Sequence, residues 1–310
     1  MDMFKYTLDN KRYHTLNYYY KNKYGKKTFK VPLNGGFSCP NKEKTKHGCI
    51  FCSRLGSGDF AGKSSDDLLT QFEEVKTIME KKWPDSYYIG YFQANTNTYA
   101  PINVLKEKYE TILSIPNVIG LNIATRSDAI SKECYDYLEE LNKKTDLILE
   151  IGLQSMHEKT LQLINRGHNL DNFEKCIKEL QKRNIKVVVH IINGLPNETK
   201  EDMIETVKYL NKLNIDGIKI HMLHILKDTD LEDYYKSNSF HILTKEEYID
   251  IVISQLEYLN PKIVIHRITG DPKEEDLIEP KWLLKKFCLL NDIDKEMVKR
   301  NTYQGKKIED

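Results

Sequence analysis

Six short apolar runs recur along the chain, separated by stretches whose apolar residues fall at helical spacing. The runs are "KTFKVPL" (27–33), "SYYIGYFQ" (86–93), "VIGLNIAT" (118–125), "LILEIGLQ" (147–154), "IKVVVHIING" (185–194) and "IDGIKIHML" (215–223). Between them lie helical stretches at 64–82, 103–114, 129–143, 170–183 and 199–213, and in the first of these Leu68, Phe72, Val75 and Met79 share one face. Strands apolar on both faces and joined by helical crossovers form a parallel sheet covered on both sides. The pattern therefore predicts an α/β fold: a partial (β/α)6 TIM-type barrel over 28–224, an N-terminal arm over 1–27, and a C-terminal extension over 225–310 that caps the barrel. A doubly wound open sheet fits the same alternation. No G-x-G-x-x-G turn follows the first strand, which weakens its dinucleotide-binding version. In the extension, a helix near 244–259, a short strand "KIVIHRIT" (262–269), a turn at 270–272 and a final helix from Trp282 are expected.

In a barrel the chemistry collects at the C-terminal ends of the strands. The cysteine loop follows the first run, and polar residues stand at the ends of the other five: Gln93, Asn95 and Thr96; Arg126 and Asp128; Gln154 and Ser155; Asn193; His221 and His224. Any one of them is unremarkable for a loop; their common rim position points to a site.

Half of the six cysteines fall in "SCPNKEKTKHGCIFCS" (38–53), as Cys39, Cys49 and Cys52 with C-x9-C-x2-C spacing. The N-terminus lacks a signal-peptide core, and no apolar run is long enough to span a bilayer. A cytoplasmic location and no membrane partner are expected. In a reducing compartment the clustered thiols read as metal ligands rather than disulfides. Three thiolates can hold three irons of a [4Fe–4S] cluster and leave the fourth iron open; alternatively His47 completes a four-ligand zinc site. Cys134, Cys176 and Cys288 fall in step with apolar neighbours and are expected to pack as small hydrophobes.

The net charge of +1 conceals a polarised N-terminus. Residues 1–30 hold eight Lys or Arg against Asp2 and Asp9, with six tyrosines interleaved. Cations attract phosphates and tyrosine rings stack on unpaired bases, so the arm reads either as an RNA-binding element or as a solvated extension.

The segment "GFSCPN…GCIFC" resembles the cluster loop of radical S-adenosylmethionine enzymes, with Phe51 at the aromatic place before the last cysteine. More narrowly, "VPLNGGFSCPN", "YFQANTNTYAP", "IATRSD", "EIGLQSMHEKTLQLINRGH", "HIINGLPNET", "GIKIHMLHILKDTDL" and "HRITGDP" are similar to a bacterial YtqA/YhcC-like group. The resemblance implies a [4Fe–4S] cluster on Cys39, Cys49 and Cys52, S-adenosylmethionine as cofactor, and a 5′-deoxyadenosyl radical as product of their reaction. It further implies that Gln154 contacts the cofactor's ribose and that Arg166 pairs with its methionyl carboxylate. "FQANTNTY" replaces the glycine-glycine-glutamate motif of many relatives, which leaves amino-group recognition to Gln93, Asn95, Thr96 or backbone carbonyls. Arg126 joins this cofactor-binding set, His190 stands where some relatives carry a ribose-binding aspartate, and "NGLPNET" matches a segment bordering the adenine. The implied partners are tRNA and a low-potential electron donor such as flavodoxin or ferredoxin. The implied reaction converts 5-carboxymethylaminomethyluridine at the tRNA wobble position to 5-aminomethyluridine. Lys219, His221, His224, Arg267 and Asp271 are the candidate substrate-facing groups. Two other readings stand beside this one: a radical enzyme acting on a small molecule such as a porphyrin precursor, and a zinc-stabilised RNA-binding module without catalysis.

Overall fold

The computed structural model describes residues 4–53, 56 and 60–308. The first three residues of the arm and the last two of the extension lie outside the described residues. All six expected strands form: β1 (Thr28–Leu33), β2 (Tyr87–Phe92), β3 (Val118–Thr125), β4 (Asp146–Gln154), β5 (Lys186–Asn193) and β6 (Gly217–Met222). Three shorter ones follow, β7 (Ile225–Leu226), β8 (Val264–Arg267) and β9 (Leu277–Glu279). The main sheet has the order β1-β2-β3-β4-β5-β6-β8, and every neighbouring pair is parallel. A doubly wound sheet would reverse direction part-way along its strand order. This order never does, so the chain builds a curled half-barrel. The curl brings the edges together: Lys30 Nζ of β1 lies 2.9 Å from His266 Nδ1 of β8. The strand expected in the cap is thus the seventh stave of the sheet, because its Val264–Ile268 run is apolar enough to continue the buried layer.

Helices alternate with the strands. They are α1 (Leu16–Tyr24), α2 (Pro40–Thr45), α3 (Leu68–Lys82), α4 (Ile102–Leu113), α5 (Lys132–Asn142) and α6 (Glu158–Leu163), then α7 (Leu170–Lys182), α8 (Lys200–Asn211), α9 (Asp230–Ser237), α10 (Lys245–Tyr258) and α11 (Lys286–Lys299). Their starts follow their caps. Asp67 accepts from Leu69 N and Thr70 N, so α3 begins four residues later than its periodicity implies. Thr199 and Asp202 form the capping box that opens α8. No helix among the described residues is long and apolar enough to cross a membrane.

Cys134 and Cys176 are buried in the main core as expected, but Cys288 is exposed. A 3-10 turn over Lys281–Lys285 rotates the start of α11 so that Leu283, Leu289, Ile293 and Met297 face inward, which leaves Phe287 79% exposed beside Cys288.

The arm also departs from a free extension. Ile265 N donates to His14 O at 2.8 Å and Thr15 bridges to Ile265, so residues 14 and 15 lie along the free edge of β8. From there α1 runs under the barrel to β1. Tyr13 and Tyr20 are buried, Tyr24 bonds Asp146 at the first residue of β4, and Lys23 Nζ sits 2.5 Å from the same carboxylate. The arm closes the N-terminal end of the barrel, and the polar strand ends listed from sequence open on the other.

Candidate cofactor and substrate pocket

The loop after β1 carries the three cysteines. Cys39 is the extended residue before α2, and Pro40 at the first helical position suits a turn that lacks a donor. Six residues later Lys46 turns left-handed at φ 67° and ends the helix. The chain then returns so that Cys52 N donates to Cys49 O at 3.0 Å. This excursion is tied down at several points: Ile50 N to Ile164 O at 3.1 Å, Leu231 N to Ile50 O at 2.9 Å, and Asn165 Nδ2 to Gly48 O. Asn41 is the pin at its centre, donating to Asn165 O at 2.8 Å and lying 3.6 Å from Cys49 Sγ. Gly167 makes room for it. At φ 81°, and with a Cβ that would fall 2.3 Å from Asn41 Oδ1, that position admits only glycine.

Cys39, Cys49 and Cys52 line one cavity together with Phe51. Two guanidinium groups back Cys49: Arg166 Nη1 lies 3.8 Å and Arg126 Nη1 4.0 Å from its sulfur. Arg126 is held bidentate by Asp128, with both contacts at 2.9 Å. Arg166 Nη2 donates to Gly152 O at 2.6 Å, while its Nε is buried without an acceptor among the described residues. A hydrogen bond from Cys52, reinforced by the charges of Arg166 and Arg126 against the cost of burial, holds the Cys49 thiol down at about 5. The shared proton drives Cys52 the other way. A thiolate is thus already favoured at the loop, the ionisation state that metal ligation requires.

His47 does not join this group. It is exposed and directed at Asp230, 3.1 Å away, and no three of Cys39, His47, Cys49 and Cys52 bring ligand atoms within 4.8 Å of one another. A single zinc ion needs convergent ligands, whereas the corners of an iron–sulfur cube are separate. The three thiols that line the cavity fit the cluster, whereas His47, the fourth ligand of the alternative zinc site, is bonded to Asp230 instead.

Most of the remaining residues expected at the site converge on the same cavity, but three strand-end residues do not line it: Asp128 holds Arg126, Ser155 bonds Glu198, and the buried Asn193 donates to Gln255. Gln93, Asn95 and Thr96 from the end of β2 line it, as do Arg126, Gln154 and Arg166. Asn95 adopts φ 60° and its N donates to Gly56 O at 2.9 Å, while Thr96 N donates to Ser38 O at 3.2 Å. "FQANTNTY" therefore laces the second strand to the cysteine loop. Gln154 sits at φ 77° beside a register shift in β4; strained backbone of this kind gathers at functional sites. Gly152 lets it happen, since a Cβ there would lie 2.8 Å from Arg166 Nη2 and 2.9 Å from Gln154 Nε2.

His190, Lys219, His221, His224, Arg267 and Asp271 line the same cavity. Glu150 and Tyr91, which nothing in the loop motifs pointed to, lie at its base. Glu150 is fully buried and accepts from Lys30 at 2.8 Å, Asn122 at 2.7 Å, His190 at 2.8 Å and Lys219. Four donors overcome the burial, and the carboxyl is held well below its ordinary range, chiefly by Lys219 and Lys30. Burial, with the charge of Lys219, lowers His190 to about 4, and burial with the charges of Lys30 and Arg267 lowers Lys219 to about 7. The signal in the sequence was a lone acid inside the apolar run "LILEIGLQ".

Residues 41–210 match the model of the radical SAM superfamily, and residues 215–299 that of the Radical_SAM C-terminal domain. The chain is 48% identical to YtqA of Bacillus subtilis (strain 168) over 98% of its own length and 95% of that protein's. It is 30% identical to YhcC of Escherichia coli (strain K12), with 88% of each chain covered. Among solved structures, the archaeal Methanocaldococcus infernus Elp3 superposes with a TM-score of 0.65 at 18% identity, covering 76% of this chain and 61% of that one.

Proposed function

Because the chain belongs to the radical SAM superfamily, whose enzymes use a [4Fe–4S] cluster and S-adenosylmethionine, we propose that Cys39, Cys49 and Cys52 hold the cluster in an enzyme that modifies the wobble uridine of tRNA. The reaction breaks the bond between the side-chain nitrogen of 5-carboxymethylaminomethyluridine and its carboxymethyl carbon, so that the carboxymethyl group leaves and the nitrogen stays as 5-aminomethyluridine. The observation that carries the reading is that the three cysteines line one cavity together with polar groups from β5, β6 and β8.

When bound, the cluster and S-adenosylmethionine supply a 5′-deoxyadenosyl radical, which removes hydrogen from carbon. The chain supplies binding, orientation and exclusion of water. Arg166, with its unanswered Nε, pairs with the cofactor's carboxylate, and Gln154 at the end of β4 takes the ribose. Gln93, Asn95 and Thr96 take the amino group, and Arg126 and His190 complete the cofactor's surroundings. Phe51, Ile192, Met222 and Leu223 give the cavity its apolar share and keep water from the reacting carbon. A low-potential donor such as flavodoxin or ferredoxin delivers the electron. The tRNA part rests on the family resemblance and on the character of the rim. Phe60 stands 51% exposed at the cavity edge, and Lys44 and Lys46 are exposed on the cysteine loop, a pairing of ring and cations suited to an unpaired base and its phosphates.

Anaerobically reconstituted protein should hold about four irons per chain. Ser at Cys39, Cys49 or Cys52 should abolish uptake, whereas Cys134→Ala and Cys176→Ala should not. tRNA from a deletion strain, digested to nucleosides and analysed by mass spectrometry, should accumulate 5-carboxymethylaminomethyluridine and lack 5-aminomethyluridine. An unchanged nucleoside profile would sink the tRNA assignment alone, and stoichiometric zinc without iron would sink the cluster as well.

A further inference from the structure

The part of the cavity lined from the ends of β6 and β8 offers more donors than the protein answers. Arg267, on β8, lines the cavity with its side chain 39% exposed, and it makes no hydrogen bond to any described residue. Its nearest carboxylate oxygen is Asp271 Oδ2 at 3.5 Å, and that oxygen is already taken by Lys286 Nζ at 2.7 Å. One acid therefore stands between two cations. The same ratio recurs deeper, where Glu150 is shared between Lys30 and Lys219. Between these two groups lie His221, whose ring touches His190 at 5.3 Å but bonds no described group, and His224, whose buried Nε2 has no partner. Gly270 packs against His224, where a Cβ would fall 2.0 Å from Nε2, so the imidazole is held in place without being satisfied.

A permanently charged guanidinium whose one carboxylate neighbour is shared with Lys286, beside two imidazoles with nitrogens unanswered among the described residues, is complete only when an acceptor with negative charge enters. Arg126 and Arg166, by contrast, stand beside Cys49. We propose that Arg267, with His221 and His224 beside it, binds an anionic group of the substrate, a carboxylate or a phosphate, and so determines which substrates the cavity accepts. A guanidinium fork matches either anion geometrically. With the tRNA substrate proposed above, on which the choice of anion rests, the group is the carboxylate of the carboxymethylaminomethyl side chain, the portion that the reaction removes.

The test uses the reconstituted protein loaded with S-adenosylmethionine and three probes. Two are anticodon stem–loop RNAs that carry 5-carboxymethylaminomethyluridine or 5-aminomethyluridine; the third is inorganic phosphate. The parent protein should bind the first RNA more tightly than the second by roughly ten- to a hundredfold, the worth of charge-assisted hydrogen bonds. Arg267→Gln should erase that preference while iron content and affinity for S-adenosylmethionine stay as they were, and Arg267→Lys should keep part of it. If the anion is instead a nucleotide phosphate, both RNAs bind alike, inorganic phosphate competes with them, and Arg267→Gln weakens both equally; the anion site stands and its source changes. Should neither RNA bind, the tRNA reading fails and the phosphate arm decides the site: binding lost in Arg267→Gln supports it, and absence of binding to the parent overturns it. The proposal is also overturned if Arg267→Gln leaves all three probes unaffected, or if it weakens binding of S-adenosylmethionine in the absence of RNA.

Discussion

Glu150 of β4 accepts from side chains on four other strands: Lys30 of β1, Asn122 of β3, His190 of β5 and Lys219 of β6. Burying a carboxylate is costly, and here four donors offset the loss of water. The dependence is mutual, because Lys219 is 6% exposed and has only Tyr91 OH, at 2.9 Å, as its other hydrogen-bond partner among the described residues. Glu150→Gln therefore leaves two buried ammonium groups without a counter-charge, and it should lower stability by about 3–5 kcal/mol in urea unfolding. The double variant Glu150→Gln/Lys219→Met should recover part of that loss, since it removes one orphaned charge. A single variant within about 1 kcal/mol of the parent, the range of an exposed ion pair, would mean that water reaches the carboxylate.

At the scale of elements, α1 shows how composition and placement can point in different directions. Its lysines and tyrosines have the makings of an RNA-binding arm, yet Tyr20 is buried, Lys23 is paired with Asp146, and Lys26 reaches Asp85 just before β2. Its contacts are with the N-terminal ends of the strands, and the cysteines lie at the other end of the barrel. Changing Lys21, Lys23, Lys26 and Lys27 together to Gln should leave RNA affinity and its salt dependence as in the parent. It should lower stability by roughly 1 kcal/mol, mostly through Lys23, because all four lysines are exposed but the partner of Lys23, Asp146, has its side chain only 12% exposed. Weaker RNA binding with a flatter salt slope, read by filter binding across salt concentrations, would return the RNA to the arm.

For the molecule as a whole, the histidine-lined interior couples folding to pH. Burial, with a charge from Lys219 for His190 and from Arg267 for His224, holds both imidazoles at about 4. The unfolded chain takes up these protons near the ordinary value of about 6.5. Between those two values it binds protons that the folded protein refuses, so stability should fall as pH is lowered from 6.5 towards 4, on the order of 3 kcal/mol for each histidine. Above 6.5 neither contributes a slope. Urea midpoints of the metal-free protein at pH 7.5, 6 and 5 measure this, and His190→Gln should flatten the decline; a midpoint that holds steady down to pH 5 would contradict the buried, neutral assignment.

The alternation of apolar runs and helices determined a parallel sheet under crossover helices, because burying both faces of a strand demands apolar residues throughout and each crossover needs a helix. The cysteine spacing and the polar strand ends likewise named the site, since residues at the same end of successive parallel strands must share a rim; Cys39, Cys49, Cys52, Gln93, Gln154 and Arg166 all line the one cavity. Strand order was not legible. Both barrel and open sheet satisfy the same pattern, and only the pairing of β6 with β8, with Lys30 reaching His266 across the gap, closes the curl. The buried charge network escaped for the same reason, since Lys30 and Lys219 stand 120 and 69 positions from Glu150 and meet it only inside the curled sheet. Composition could not decide the fate of the arm either. A lysine on the surface and one beside a buried aspartate are the same letter, and only the fold set α1 across the closed end, with the cavity left open at the other.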